Sequence, residues 1–513
     1  LWRHAGDATV ERDERGKAAM DRRTFLWSGA GLGAAGAAAS TNAAPTTGEA
    51  YRLSGRYDLR HEAALRRIGL YAAEHLRVHR LPGMTMAVAG PDGLDAVITL
   101  GFSDLERLEP VKPEHLFQIG SISKSFTAAM IHQLAAEGKL GLDDRIEQHL
   151  KGLPLPEGAP ITLNQLLCHA SGLPEDVPYF PQSPDGRLWV GFTPGSAWSY
   201  SNLGYALLGR IVEAKDGRPL AASLEARIFK PLGMARSKGA LYPSDHAEFA
   251  IGYAQSDPDA DYDPGISLSP APFETLTVGS GSVGASPADM IRWIRWLIGA
   301  GRGVGGPLMP DAQAVRFAKP QIAAPGWAIK GASYGSGLAY VPLEGHTVMQ
   351  HTGGMLAFHS SIHVDPKAGV GAFVSVNSGA DDYRPRDVSA FACALARAVT
   401  APEPGLDPQP AKVVWERPPT PKLETEGAEA EYRALAGRYA ASGLAYGTVT
   451  ILAVKGALAL RDGTLFERKP EGFWVLKPDA DHPEPQVERM WFANPLNGRP
   501  QNLIFAGVRL ERI

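Results

Sequence analysis

The sequence predicts a mixed α/β protein: helices flank an antiparallel sheet, an all-helical subdomain interrupts that sheet, and a small C-terminal β-barrel follows. Three observations carry this expectation. A helix and a β-hairpin lead into helices in series. Strand-like runs divided by turn signals follow from about Tyr334. Short, evenly spaced strands then return past Ala430.

Each element has its own signal. From Tyr57 to Arg80 the residues Leu59, Ala63, Ile68, Tyr71 and Leu76 recur at helical spacing, the stripe of an amphipathic helix. Met84–Ala89 and Ala96–Leu100 read as strands, with Pro91-Asp92-Gly93 as the hairpin turn between them. A helix is expected over Ser121–Ala136, and another starts at Thr162, which makes a capping box with Gln165. A third opens at Asn202, and a fourth at Ser286-Pro287-Ala288-Asp289, a serine cap with proline at the first helical position. The runs Leu338–Val341, Thr347–Gln350, His359–Val364 and Gly371–Val376 form an expected meander. Its turns are Glu344-Gly345, Gly353-Gly354 and Asp365-Pro366, and a helix over Arg386–Val399 closes the region. Seven prolines between Thr400 and Glu424 mark residues 401–429 as a linker or strap. Val449–Val454, Ala457–Leu460, Phe473–Leu476 and Leu503–Val508 then supply strands of a barrel over residues 430–513.

Composition narrows the function classes. At roughly 150 residues per domain, 513 residues make two or three domains with ample core. A net charge of -4 without a basic block argues against a nucleic-acid surface. Two cysteines, Cys168 and Cys393, are too few for a disulfide scaffold or a zinc cluster, and they are expected to remain buried thiols. The front of the chain reads as an address. From Met20, an Arg22-Arg23 pair precedes Phe25-Leu26 and a weakly apolar Gly/Ala-rich run, the layout of a twin-arginine signal peptide. Residues 1–44 are therefore expected to be a leader, with Met20 as the start and an exported, periplasmic or secreted product. No other segment reaches the ~18 apolar residues of a membrane helix.

The chemistry begins at Gly120-Ser121-Ile122-Ser123-Lys124. A serine in a first helical turn meets free backbone N–H groups. Lys124, three residues on, lies on the same face, and a buried lysine loses its proton readily enough to act as a base. Tyr200-Ser201-Asn202 and His351-Thr352-Gly353-Gly354 follow in order.

With these three motifs the chain, over Tyr57–Thr400, resembles the penicilloyl serine hydrolases: class C β-lactamases, D-alanyl-D-alanine carboxypeptidases, D-aminopeptidases and related esterases. The stretches Leu166–Leu173, Pro231-Leu232-Gly233-Met234 and Gly281–Asp289 add to the resemblance. It implies a β-lactamase/transpeptidase-like fold over residues 51–400, with no cofactor and no metal. It implies Ser121 as acylated nucleophile, Lys124 and Tyr200 sharing the proton transfers, and Asn202 positioning Lys124 and the substrate amide. The N–H groups of Ser121 and Gly354 would form the oxyanion hole. Thr352 would line the substrate site, and His351, where many relatives carry lysine, would hydrogen-bond the tyrosine or shape its field. His-Thr-Gly in place of Lys-Thr-Gly points toward the peptidase and D-aminopeptidase branch. Gly354 lacks a hydroxyl that relatives use to hold a substrate carboxylate, and Ala357 stands where many have glycine. The barrel resembles those appended to D-aminopeptidases, with Leu435–Tyr439 as its opening strand. The function implied is an exported serine hydrolase acting on amides or esters, foremost D-amino-acid-containing peptides or peptidoglycan fragments. The alternatives are an esterase or weak β-lactamase on the same site, or a penicillin-binding sensor or cell-wall-binding protein with slow turnover.

Other patterns are set aside. Gly331-Ala332-Ser333-Tyr334-Gly335 fits a nucleophile elbow, but Pro325-Gly326 breaks the strand it needs. His61-Glu62 lacks the second histidine of a zinc-protease helix. His359 and His363 share a strand face without a third ligand, His169 reads as a structural hydrogen-bonder, and Trp293 and Trp296 read as packing.

Overall fold

The computed structural model describes residues 50–255, 263–264, 267–379, 383, 385–401, 407–415, 422–440, 448–477 and 485–513. The expected leader and signal peptide lie outside the described residues.

A ten-stranded antiparallel sheet forms the centre. From one edge its order is Arg52–Arg56, Asp95–Asp104, Gly83–Ala89, Val370–Val376, Phe358–Asp365, His346–Met355, Ala339–Leu343, Ser333–Tyr334 and Ile322–Ala323, with Glu109–Pro110 paired on Asp95–Asp104. The hairpin and the meander, far apart in sequence, join where Met84 faces Val376 and Ala89 faces Gly371. The intervening helices therefore hang from one side of a continuous sheet. The Pro91–Leu94 turn has Asp92 and Gly93 at φ 54 and 78, the twist that suits a tight hairpin.

Alternation along the strands sorts the two layers. Met84, Met86 and Val88 join Val370, Ala372, Val374 and Val376 beneath helices Leu59–Val78 and Pro385–Thr400. Ala87, Ala89 and Phe373 point the other way, onto helix Pro287–Gly301 and the insertion that carries helices Ser123–Ala136 and Asn202–Asp216. Each buried aliphatic or aromatic side chain contributes about 1.5–3 kcal/mol. Hydroxyl caps start the helices. Ser286 accepts from the Asp289 N–H at 3.3 Å, and Thr162 and Gln165 exchange two bonds of 3.2 and 2.9 Å. That capping box serves a helix of only five residues, Leu163–Leu167.

Part of the proline-rich segment, residues 407–415, lies as a strap on the first helix. Arg67 bonds the Asp407 carboxylate at 2.5 Å and the Pro408 carbonyl at 2.9 Å, and Val413 and Trp415 cover the sheet-side core. Beyond it a closed eight-stranded antiparallel barrel runs from Gly437–Ala440 to Val508–Arg512. Tyr439, Leu458, Phe466, Trp474 and Leu503 fill its interior.

Three expectations change in detail. Leu435 does not open the barrel but ends helix Ala430–Leu435, whose Tyr432 and Leu435 pack on the barrel core. Leu503–Val508 is two strands, because Ala506 and Gly507 (φ 46 and 69) turn the chain between Phe505 and Val508. Gly353-Gly354 is not a turn: strand His346–Met355 runs through it. Cys168 and Cys393 are buried free thiols, and burial pushes them up to about 11 and about 12.

Candidate active site

Ser121 sits on a single 3₁₀ turn, Gly120–Ile122, and the α-helix itself runs from Ser123 to Ala136, slightly later than its sequence pattern predicts. The tighter start follows from Gly120 at φ +52, where a Cβ would meet the Gly354 carbonyl at 2.8 Å. At Gly353 a Cβ would lie 2.0 Å from the Ile119 carbonyl and 3.2 Å from the Ser121 nitrogen. The glycines let the strand press directly on the turn that carries the serine.

Lys124 is fully buried. Its Nζ donates to Ser121 Oγ at 2.9 Å, Asn202 Oδ1 at 2.5 Å and the Ser280 carbonyl at 3.0 Å. Asn202 is fixed in turn, because its Nδ2 donates to Asp176 Oδ2 at 3.1 Å and so leaves Oδ1 toward the lysine. Burial lowers Lys124 to about 7, with Glu175 and Asp176 pulling the other way. Once neutral, the amine has two hydrogens and one lone pair. The Asn202 and Ser280 oxygens can only accept, so both hydrogens go there and the lone pair faces the Ser121 hydroxyl.

Tyr200 lies with its ring centroid 4.7 Å from the Lys124 amine. Burial holds its phenol well above the ordinary value; the Ser121 hydroxyl opposes the shift, and Glu175 and Asp176 add to it. Tyr200 therefore stays protonated while Lys124 is free to lose its proton. His169 lies tilted against the Tyr200 ring, with centroids 4.4 Å apart, and accepts the Ser201 N–H on Nδ1 at 3.1 Å, which anchors the loop entering helix Asn202–Asp216.

His351 is buried beside this group but does not bond Tyr200. Its Nδ1 meets the Thr352 carbonyl at 2.5 Å, so Nε2 accepts from the Tyr334 hydroxyl at 2.9 Å. Burial, followed by the Lys124 charge, lowers it to about 3, and it is a neutral brace between two strands. Tyr334 comes from the set-aside Gly331–Gly335 pattern, which is a turn into a short strand.

A cleft of about 600 Å³ is lined by Ser121, Tyr200, His351, Thr352 and Gly354. Sequence reasoning missed part of its wall. Trp327, His359 and Arg386 line it from the sheet side, and Val487 and Glu488 reach in from the barrel. His363, by contrast, bonds Ser389 at 2.8 Å in the core. Among the described residues no group of three His, Cys, Asp or Glu side chains is placed to hold a metal ion.

The antiparallel sheet with its helices and appended barrel, and the buried lysine at the helix start, define the class: a serine hydrolase. The Beta-lactamase family model matches residues 71–394, and the chain belongs to that family. Penicillin-binding protein 4 of Amycolatopsis lactamdurans is 28% identical over 325 residues, 59% of this chain and 82% of its own. The D-alanyl-D-alanine-carboxypeptidase/endopeptidase AmpH of Escherichia coli (strain K12) is 26% identical over 290 residues, 52% of this chain and 72% of its own. The solved octameric penicillin-binding protein homologue from Pyrococcus abyssi shares the fold, with TM-score 0.57 and 23% identity over 87% of this chain and 99% of that one.

Proposed function

We propose that this hydrolase cleaves amide or ester bonds of D-amino-acid-containing peptides through an acyl-enzyme on Ser121. The observation that carries the reading is the hydrogen-bond set of Lys124, which leaves a neutral amine one free lone pair, aimed at the serine. Lys124 takes the Ser121 proton as Oγ bonds the carbonyl carbon, and the oxyanion is met by the Ser121 and Gly354 N–H groups. Collapse expels the amine or alcohol, which takes a proton from the protonated Tyr200, and the phenol is restored from Lys124. Water then attacks the ester by the reverse relay and releases the acid. Asn202 holds Lys124, Thr352 borders the substrate, and His351 supports the strand beneath it. Export through the twin-arginine route at Arg22-Arg23 belongs to the same proposal, supported by the sequence of the leader.

The test is pre-steady-state hydrolysis of 4-nitrophenyl acetate. The expected result is a nitrophenolate burst stoichiometric with protein, lost in Ser121→Ala; turnover equal in parent and variant contradicts the proposal. Similarity to a penicillin-binding protein favours one second reading, a slow-turnover penicillin binder. Fluorescent penicillin that stays on Ser121 for hours supports that role, and rapid release supports a hydrolytic one.

A further inference from the structure

Ser121 lies between two cavities, and the proton donor sorts them. Besides the cleft described above, a second cavity of about 530 Å³ opens at Ser121 and Gly354. Tyr200, which protonates the leaving group in the proposed reaction, lines the first; among the described residues it is not part of the second cavity's walls. The leaving amine or alcohol therefore departs into the first cleft. The acyl part is left to the second, where Asn202, Leu203, Leu276 and Val278 stand.

The wall on the leaving side is aromatic. Trp327 rides on the loop between strands Ile322–Ala323 and Ser333–Tyr334, where the Ala324 N–H donates to the Ala332 carbonyl at 3.0 Å. Its indole N–H donates to Gln350 Oε1 at 2.8 Å, and Gln350 is 1% exposed, so the bond is shielded from water and holds the ring in place. Between centroids, Trp327 stands 5.0 Å from His351 and 6.2 Å from Tyr200. Trp198 extends the row edge-on at 6.3 Å. Both tryptophans line the cleft, and Trp327 keeps part of its surface open. Aromatic pairs favour centroid separations of about 4.5–7 Å. A ring one or two bonds beyond the atom that Tyr200 protonates therefore has Trp327 within reach.

Resting on the serine-hydrolase reading above, we propose that Trp327 selects the leaving group, and that it takes an aromatic ring carried by the departing amine or alcohol. The substrate class is then an amide or ester whose leaving side is aromatic, such as a peptide that releases an aromatic amino acid. Trp327 acts on specificity and not on the proton transfers, which stay with Lys124 and Tyr200.

Methyl and benzyl acetate test this, because both give the same acetyl-enzyme and their alcohols are nearly equal in acidity. A difference in kcat/KM then reports how the alcohol part is held before it leaves. Benzyl acetate should exceed methyl acetate by about tenfold or more, the scale on which apolar pockets discriminate. In Trp327→Ala the two should come within about threefold of each other, while Trp327→Phe, which keeps a ring, should retain most of the preference. Methyl phenylacetate is the control, since its ring sits on the acyl side: its rate relative to methyl acetate should be the same in parent and Trp327→Ala. Loss of folded protein cannot mimic a change in these ratios. If Trp327→Ala does not fold, the parent's ratio and that of Trp327→Phe decide. Ser121-dependent turnover with equal rates on methyl and benzyl acetate overturns this inference and leaves the hydrolase reading standing. So does a benzyl preference that survives Trp327→Ala in full, or a fall in Trp327→Ala confined to methyl phenylacetate. No Ser121-dependent turnover of these esters or of 4-nitrophenyl acetate overturns both.

Discussion

At the residue scale, the proposed chemistry turns on which group takes the proton from Ser121. Lys124 is buried beside it and Tyr200 half-buried, yet loss of solvent acts on them in opposite ways: it keeps the phenol protonated and strips the ammonium. In the proposed mechanism the neutral lysine is the active form, so kcat/KM for 4-nitrophenyl acetate should rise with pH through about 7 and level off above it. Glu175 favours the ammonium, so Glu175→Gln should move that ascending limb to lower pH; a shift to higher pH would refute the assignment. Ser121 and Lys124 were legible in the sequence through their three-residue spacing at a helix start, and Asn202 through the family resemblance that its motif carries. The partner of His351 was not. Tyr334 sits in a glycine-rich turn that imitates another motif, and it reaches His351 only because the sheet brings their strands together.

At the element scale, close approach and buried charge set the tolerances. Gly353 lets strand His346–Met355 lie on the serine's turn, so Gly353→Ala should push the two apart and lower kcat/KM by about a hundredfold, the cost of roughly 1 Å of misplacement. Farther away, Asp216 at the end of helix Asn202–Asp216 accepts from Arg218, Ser223 and Arg227, and its side chain is 2% exposed. Asp216→Ala leaves a buried guanidinium half-paired and should cost about 3 kcal/mol in urea unfolding. Its carboxyl is held well below the usual range, first against burial, by those partners. That stability is present above the unfolded carboxyl's value and is lost as pH falls below about 4. The layers were legible from alternation and caps; the short turns were less so. Asn497-Gly498 joins Met490–Leu496 to Arg499–Phe505 with both residues at positive φ, and Ala506-Gly507 does the same without an asparagine to announce it.

At the scale of the whole molecule, the barrel is built into the cleft. Trp189 donates its indole N–H to the Val487 carbonyl at 2.8 Å and packs edge-on against Trp491 at 5.0 Å, while Arg489 bonds the Val190 carbonyl at 3.1 Å. Loss of a buried tryptophan costs about 3–5 kcal/mol. In calorimetry, Trp189→Ala should therefore uncouple the barrel, which melts ahead of the catalytic part, where the parent unfolds in one transition. No sequence signal announced this docking, because it joins residues about 300 positions apart through side chains that look like ordinary core. The central claim is nearer the serine: Ser121 becomes acylated because neutral Lys124 accepts its proton. Its most direct test is intact-protein mass after rapid acid quench of 4-nitrophenyl acetate turnover at pH 8. We expect one acetyl group, mapped to Ser121, in the parent and none in Ser121→Ala or Lys124→Met; acetylation at another residue, or full acetylation of Lys124→Met, would contradict it.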